Sequence, residues 1–273
     1  IQYDYLCATS LVYFFLDLLS QKIVCKFKIS DFLIYALLAT VCDVMPIRKL
    51  NRLIAISALK NFKISQNIAI NEIFSLLNKK SKLNINDIGY LIGPILNAGG
   101  RLGKSNHATN LLSSNNLKDV KTISRELIIL NNKRKEIETI IINDINFDKI
   151  KKENCNVIIY YDPNIKEGLI GIIAARLKDY FNKPSIIITN SNNLLKGSAR
   201  STQNYNIGRV IKNLVEQNIL ISGGGHNNAA GFTIKKDKLS FFKDYINKDF
   251  AKLNLVKNNV FTYDSEISSI SFK

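Results

Sequence analysis

"NVIIYYDPNIKEGLIGIIAARLKDYFNKPSIIIT", residues 156–189, decides the fold. It opens on an apolar, β-branched run (156–161) and turns at Asp162–Pro163. From Leu169 to Phe181 the apolar spacing is helical, and a second β-branched run follows at 184–189. Strand, helix, strand is the repeating unit of an α/β fold. Downstream, "LLKGSAR" (194–200) reads as a third strand and "IGRVIKNLV" (207–215) as a helix. "AGFTI" (230–234) reads as another strand, and Leu239, Phe242, Ile246 and Phe250 mark a last helix. The expectation is an α/β domain with a mixed sheet.

Upstream the pattern is helical, with helices expected at about 5–20, 30–41, 50–60 and 67–79 and little strand signal. None of the 13 glycines or 4 prolines falls between Lys104 and Asp162. Within that gap Leu117, Val120, Ile123, Leu127, Leu130, Ile137 and Ile141 recur at spacings of three, four or seven, the stripe of one long amphipathic helix. Asn115 or Asn116 would cap it. Helices of this length commonly connect domains. The organisation expected is therefore residues 1–115, a connecting helix 116–150, a domain 151–255, and the start of a further segment at 256–273.

The 273 residues are 46% hydrophobic and 22% charged, a globular composition, but the net charge is +16. Residues 1–50 hold five Lys/Arg and four Asp/Glu, a net +1, so +15 lies beyond them. Such an excess suits a polyanion. It also suits a chain rich in Lys, Asn and Ile through AT-biased coding, and both readings stay open here. Cys7, Cys25, Cys42 and Cys155 are scattered, with no CxxC pair. That argues against a zinc site or a disulfide framework and for a reducing cytoplasm. The apolar runs "SLVYFFL" and "FLIYALLATVC" each end at an aspartate, short of the roughly 18–20 residues of a membrane span.

Four clusters carry chemistry. "ISGGGHNNAAGFTI" (221–234) places three glycines before His226, one of two histidines. Adjacent glycines are costly to order, so they suggest a turn or a ligand against bare backbone. The motif is expected to be a turn between a helix and a strand. In "KGSARS" (196–201), Ser198 and Arg200 share a strand face, and a hydroxyl beside a guanidinium suits phosphate. In "GPILNAGGRLG" (93–103), Pro94 and four glycines suggest a shaped loop presenting Asn97 and Arg101. In "ATVCDVMP" (39–46), Asp43 ends an apolar helix, where a carboxylate calls for a partner, a cap or a metal.

Together these stretches resemble one family. "LIYALLATVCDVMPIRKLNRLI", "IGPILNAGGRLGKSNHATNLL", "LNNKRKEIE", "EGLIGIIAARL", "KGSARS" and "GGGHNNAAGF" occur in the order found in RecJ-type single-strand-specific DNA exonucleases. These are DHH-superfamily phosphoesterases with a DHH-associated C-terminal domain. The resemblance implies the helical end of a DHH catalytic domain, a connecting helix, and an α/β DHH-associated domain. It implies metal-dependent 5′-to-3′ hydrolysis of single-stranded DNA in repair and recombination, with two Mn²⁺ or Mg²⁺ ions. Asp43 matches a metal ligand. Arg101, Ser198 and Arg200 match positions that hold the 5′-terminal phosphate, with Asn97 beside Arg101. Gly224, Gly225 and His226 match the substrate-facing loop.

The implied partners are single-stranded DNA with a 5′-phosphate and a loading protein, either a single-strand-binding protein or a helicase. The implied state is a cytoplasmic monomer. The sequence departs from the family in having no Asp-His-His triplet, and in carrying Ile165–Lys166 where the family has Trp-His. With Ile1 in place of Met, the expectation is an internal fragment of a longer enzyme, inactive alone as a nuclease. The oligonucleotide-binding fold expected to follow would begin near "TYDSEISSISF". Alternatives are a DHH-family oligoribonuclease or cyclic-dinucleotide phosphodiesterase, and a non-catalytic single-strand-binding module.

Overall fold

The computed structural model describes residues 3–24, 27–153, 155–202 and 205–253, and the segment expected at 256–273 lies outside them. The chain divides into two compact units, Ile1–Asp144 and Ile145–Lys273.

Among its described residues, the first unit's regular elements are all helical. Helices α1 (Ala8–Ser20), α2 (Leu33–Cys42), α3 (Lys49–Asn61) and α4 (Ile68–Leu76) are followed by a single turn, α5 (Ile85–Asp87). A π-turn at Ile88–Ile92 leads into α6 (Gly93–Arg101), then α7 (His107–Ser113) and α8 (Leu117–Asp144). Ile34, Leu37, Ile54, Ile70 and Ile88 form one core cluster, and Ile73, Ile95, Leu111, Val120 and Leu127 another. Asn116 caps α8, its Oδ1 accepting from the Lys118 N–H at 2.9 Å.

Two expectations change here. Residues 93–101 are a helix and not a shaped loop. Pro94 follows directly on the π-turn, an irregularity of the kind that accommodates a residue without an N–H in a continuing helix, and Ile95 and Ala98 are buried. The chain turns only afterwards, at Gly103, whose φ is +93°. The buried stripe of α8 also differs from the apolar one. It runs Val120, Ser124, Leu127, Asn131, Arg134, Glu138. The last three are tolerated because they pair with each other. Arg134 Nη1 donates to Glu138 Oε2 at 2.7 Å, and Arg134 Nε donates to Asn131 Oδ1 at 3.2 Å.

The second unit is α/β. Helix α9 (Phe147–Glu153) precedes β1 (Ile158–Tyr161), α10 (Glu167–Phe181), β2 (Ser185–Ser191) and β3 (Leu194–Arg200). Then come α11 (Ile207–Glu216), β4 (Ser222–His226), β5 (Ala229–Ile234) and α12 (Leu239–Ala251). The sheet order is β1-β2-β3-β5-β4. β1 and β2 are parallel and joined through α10, while the other pairings are antiparallel, so the sheet is mixed as expected. Asn192 and Asn193, with φ of 43° and 64°, close the β2–β3 hairpin. One sheet face buries Leu195, Ala199, Phe232 and Ile234 against Ile211 and Leu214 of α11 and Phe242 of α12.

The glycine triplet is not a turn. Gly223, Gly224 and Gly225 are extended, inside the outer strand β4, and the turn is Asn227–Asn228. Glycine at 225 answers to crowding. A Cβ there would lie 2.2 Å from Ala229 O and 2.5 Å from Ala230 Cα. No helix among the described residues is long and apolar enough to cross a membrane.

Candidate functional site

The second unit gathers four of the eight expected site residues, Ser198, Arg200, Gly224 and His226, on one surface. Side chains alternate along a strand, so Ser198 and Arg200 of β3 face one way with Lys196. The register sets Ser198 opposite Gly231 and Gly231 opposite Gly224. It sets Arg200 opposite Ala229 and Ala229 opposite His226. Arg200, Ser198, Gly231, Gly224 and His226 therefore share the face opposite the core, across a width of roughly 10 Å at normal strand spacing. Gly225 points the other way. Helix α10 lies along the β2–β3 side of this face, reaching Ser198 and Arg200 at Gly171. Towards β4 the face is open, with Gly231, Gly224 and His226 exposed.

Arg200 is the distinctive group. It is half-buried, and burial pulls its pKa below the ordinary guanidinium value. Its Nη1 donates to Ser198 Oγ at 3.2 Å and to the Ala199 carbonyl at 2.9 Å. Among the described residues no carboxylate pairs with it. Lys196, on the same strand face, differs in that its Nζ lies 2.9 Å from Glu167 Oε2. A hydrogen bond from Ser191, and then Lys196, hold the Glu167 carboxyl below its usual value. One cation is thus paired with a carboxylate and the other, among the described residues, is not.

The glycines at the centre of the face have no role in packing. A Cβ at Gly224 would meet nothing within 4 Å, and one at Gly231 would come no closer than 3.8 Å to Gly197 O. Neither has positive φ. A bare strand surface that sterics do not demand suits close approach of a ligand to backbone.

The remaining site residues belong to the first unit. Asp43 is the exposed residue ending α2, where its N–H bonds Ala39 O at 2.8 Å, so the burial cost expected of it does not arise. The adjacent Cys42 packs on the first residue of α6, Gly93, where a Cβ would lie 2.7 Å from its Sγ. Asn97 and Arg101 sit four residues apart on α6, on one face with Gly100. Asn97 is exposed and Arg101 half-buried. Among the described residues no three His, Cys, Asp or Glu side chains gather as a metal site. Asp43 could supply one oxygen ligand, but a two-ion centre is not built from these residues. Sequence reasoning missed Gly171, Gly231 and the Glu167–Lys196 pair. A glycine inside an otherwise good helix was the available signal for the first.

Residues 154–252 match the DHHA1 domain family. The chain is 30% identical over 232 residues to the single-stranded-DNA-specific exonuclease RecJ of Haemophilus influenzae, covering 81% of this chain and 40% of that protein. It is 29% identical over 226 residues to RecJ of Escherichia coli, covering 79% and 39%. The chain thus spans about 40% of the length of these relatives. Its fold is similar to that of Thermus thermophilus RecJ in complex with Mg²⁺, with a TM-score of 0.71 at 22% identity over 82% of this chain and 35% of that one. It is also similar to an exonuclease RecJ bound to manganese, with a TM-score of 0.65 at 22% identity, covering 82% and 56%. Residues 154–252 are therefore a DHHA1 domain, carried by a chain homologous to the RecJ exonucleases.

Proposed function

We propose that the protein serves a metal-dependent, 5′-to-3′ exonuclease of single-stranded DNA, and that its second unit holds the 5′-terminal phosphate. The observation that carries this reading is Arg200, a half-buried cation without a carboxylate beside the Ser198 hydroxyl. A phosphate there would accept charge-assisted hydrogen bonds from the guanidinium and one from the hydroxyl. The strand would continue over the bare surface at Gly231 and Gly224 towards His226, an additional donor. Because that floor has no side chains, it grips backbone and ignores base identity.

The net charge of +16 supports the polyanion reading. Mn²⁺ or Mg²⁺ would supply the nucleophilic hydroxide and stabilise the leaving oxygen. Of the donors for such ions, Asp43 alone comes from the residues described. The test is binding of one single-stranded oligonucleotide with a 5′-phosphate or a 5′-hydroxyl. Wild type should favour the phosphate, and Arg200→Ala should lose that preference. Equal affinity of wild type for both ends overturns the proposal.

A further inference from the structure

Arg200 reaches its place because α10 carries no side chain at Gly171. A Cβ built there would lie 3.0 Å from Arg200 Nη2 and 3.2 Å from Ser198 Oγ. Those two atoms belong to the groups assigned to the terminal phosphate.

The donors of Arg200 are already divided. Both Nη1 hydrogens have acceptors, Ser198 Oγ at 3.2 Å and Ala199 O at 2.9 Å. Among the described residues, the edge left for a ligand is Nε with Nη2, two N–H groups pointing in parallel. That edge is a fork for two oxygens of one oxyanion. Ser198 accepts from Nη1, so its own hydroxyl proton remains to be donated to a third oxygen. Gly171 borders this fork. A methyl 3.0 Å from Nη2 would take space that a phosphate oxygen at 2.7–2.9 Å from the same nitrogen needs on that side.

The helix has no use of its own for this glycine. Residue 171 lies well inside α10, whose Leu169, Ile170, Ile173, Ala174 and Leu177 are buried. At such a position alanine is the better helix former. The cost of glycine is offset by what it leaves open.

We infer that Gly171 is a positioning residue that keeps the Nε–Nη2 edge of Arg200 open to a phosphomonoester, and so sets preference for a phosphorylated strand end. This rests on the reading that Arg200 takes the terminal phosphate. The ligand class is a dianionic phosphomonoester, because three oxygens are asked for and a diester offers two.

The experiment uses the full 273-residue chain and one fluorescent single-stranded oligonucleotide, with a 5′-phosphate or a 5′-hydroxyl. The readout is the ratio of the two affinities for wild type, Gly171→Ala and Arg200→Ala. Gly171→Ala should remain folded, the gain in helix propensity offsetting the closer contact with Arg200, and its ratio should fall about 10-fold as the charge-assisted contact is lost. Its affinity for the hydroxyl end should stay at the wild-type value. A folded Gly171→Ala with the wild-type ratio, while Arg200→Ala has lost its preference, overturns this inference alone. An Arg200→Ala variant that keeps the preference overturns the phosphate-clamp reading itself. A second measurement avoids mutation of the helix. In wild type, inorganic phosphate should shift the Arg200 Nε–H resonance, assigned by its absence in Arg200→Lys. A resonance that does not respond while phosphate binds elsewhere on the chain overturns the inference.

Discussion

Lys196 Nζ lies 2.9 Å from Glu167 Oε2, and this pair divides the cations of β3 into two kinds. Lys196 is held by the protein. Arg200, on the same strand face, has only a hydroxyl and a carbonyl as acceptors among the described residues. The two residues should therefore respond differently to mutation.

Arg200→Ala should weaken binding of 5′-phosphorylated single strands about 10- to 150-fold, the loss of about 1.5–3 kcal/mol of charge-assisted contact. Arg200→Lys should recover only part of it, since an ammonium lacks the fork. Titrations with phosphorylated and hydroxyl ends measure the effect. A structural role would lower the melting temperature and weaken both ends alike.

Lys196→Met should act on stability, and modestly. A pair this exposed contributes about 0.2–1 kcal/mol. The Glu167 pKa is lowered in the folded state, so the contribution is present above the unfolded value and is lost as pH falls through the folded one. The gap in melting temperature between wild type and Lys196→Met should be visible at neutral pH. It should close as pH drops below about 4.3, the ordinary glutamate value.

Gly224→Ala should leave the melting temperature unchanged or raise it, because its Cβ meets nothing and alanine costs less entropy to order. Affinity for single-stranded DNA should nevertheless fall. Gly225→Ala, placed 2.2 Å from Ala229 O, should destabilise the hairpin instead. Thermal melts and binding titrations on the two neighbours separate a glycine kept for a ligand from one kept for packing.

Glu138→Ala should be among the more damaging single changes in the first unit. Arg134 is 9% exposed and Glu138 6%, so truncating the acid strands a buried guanidinium. A cost of about 3–5 kcal/mol is expected. The double variant Arg134→Met, Glu138→Leu should recover much of it. Chemical denaturation of the three variants checks this.

The succession of strand, helix and strand that opens the second unit was legible in the sequence as a change of period. The apolar runs at 156–161 and 184–189 and the helical spacing between them mark β1, α10 and β2. Ser198 and Arg200 were legible as a same-face pair because strand alternation is a local property. What escaped was set by distant contacts. Three glycines read as a turn because propensity sees their entropy, while the pairing of β4 with β5 that makes them a strand is tertiary. "GPILNAGG" read as a loop for the same reason, although burial of Ile95 and Ala98 holds it helical. On α8, apolar periodicity could not reveal that Asn131, Arg134 and Glu138 satisfy one another.

Strand β4 closes one side of the sheet, and its outward N–H and C=O groups have no strand partner among the described residues. Such an edge is a template on which a second molecule can add a strand. Three of its five residues are glycine, the poorest of strand formers, so a copy arriving at this edge meets a segment that is entropically reluctant to template it. The same bareness that, on the proposed reading, would admit a ligand from above thus guards against self-association from the side. Replacing Gly224, the one of the three whose Cβ position is open, with valine or isoleucine would weaken that guard, and a gain in strand propensity would be accompanied by aggregation.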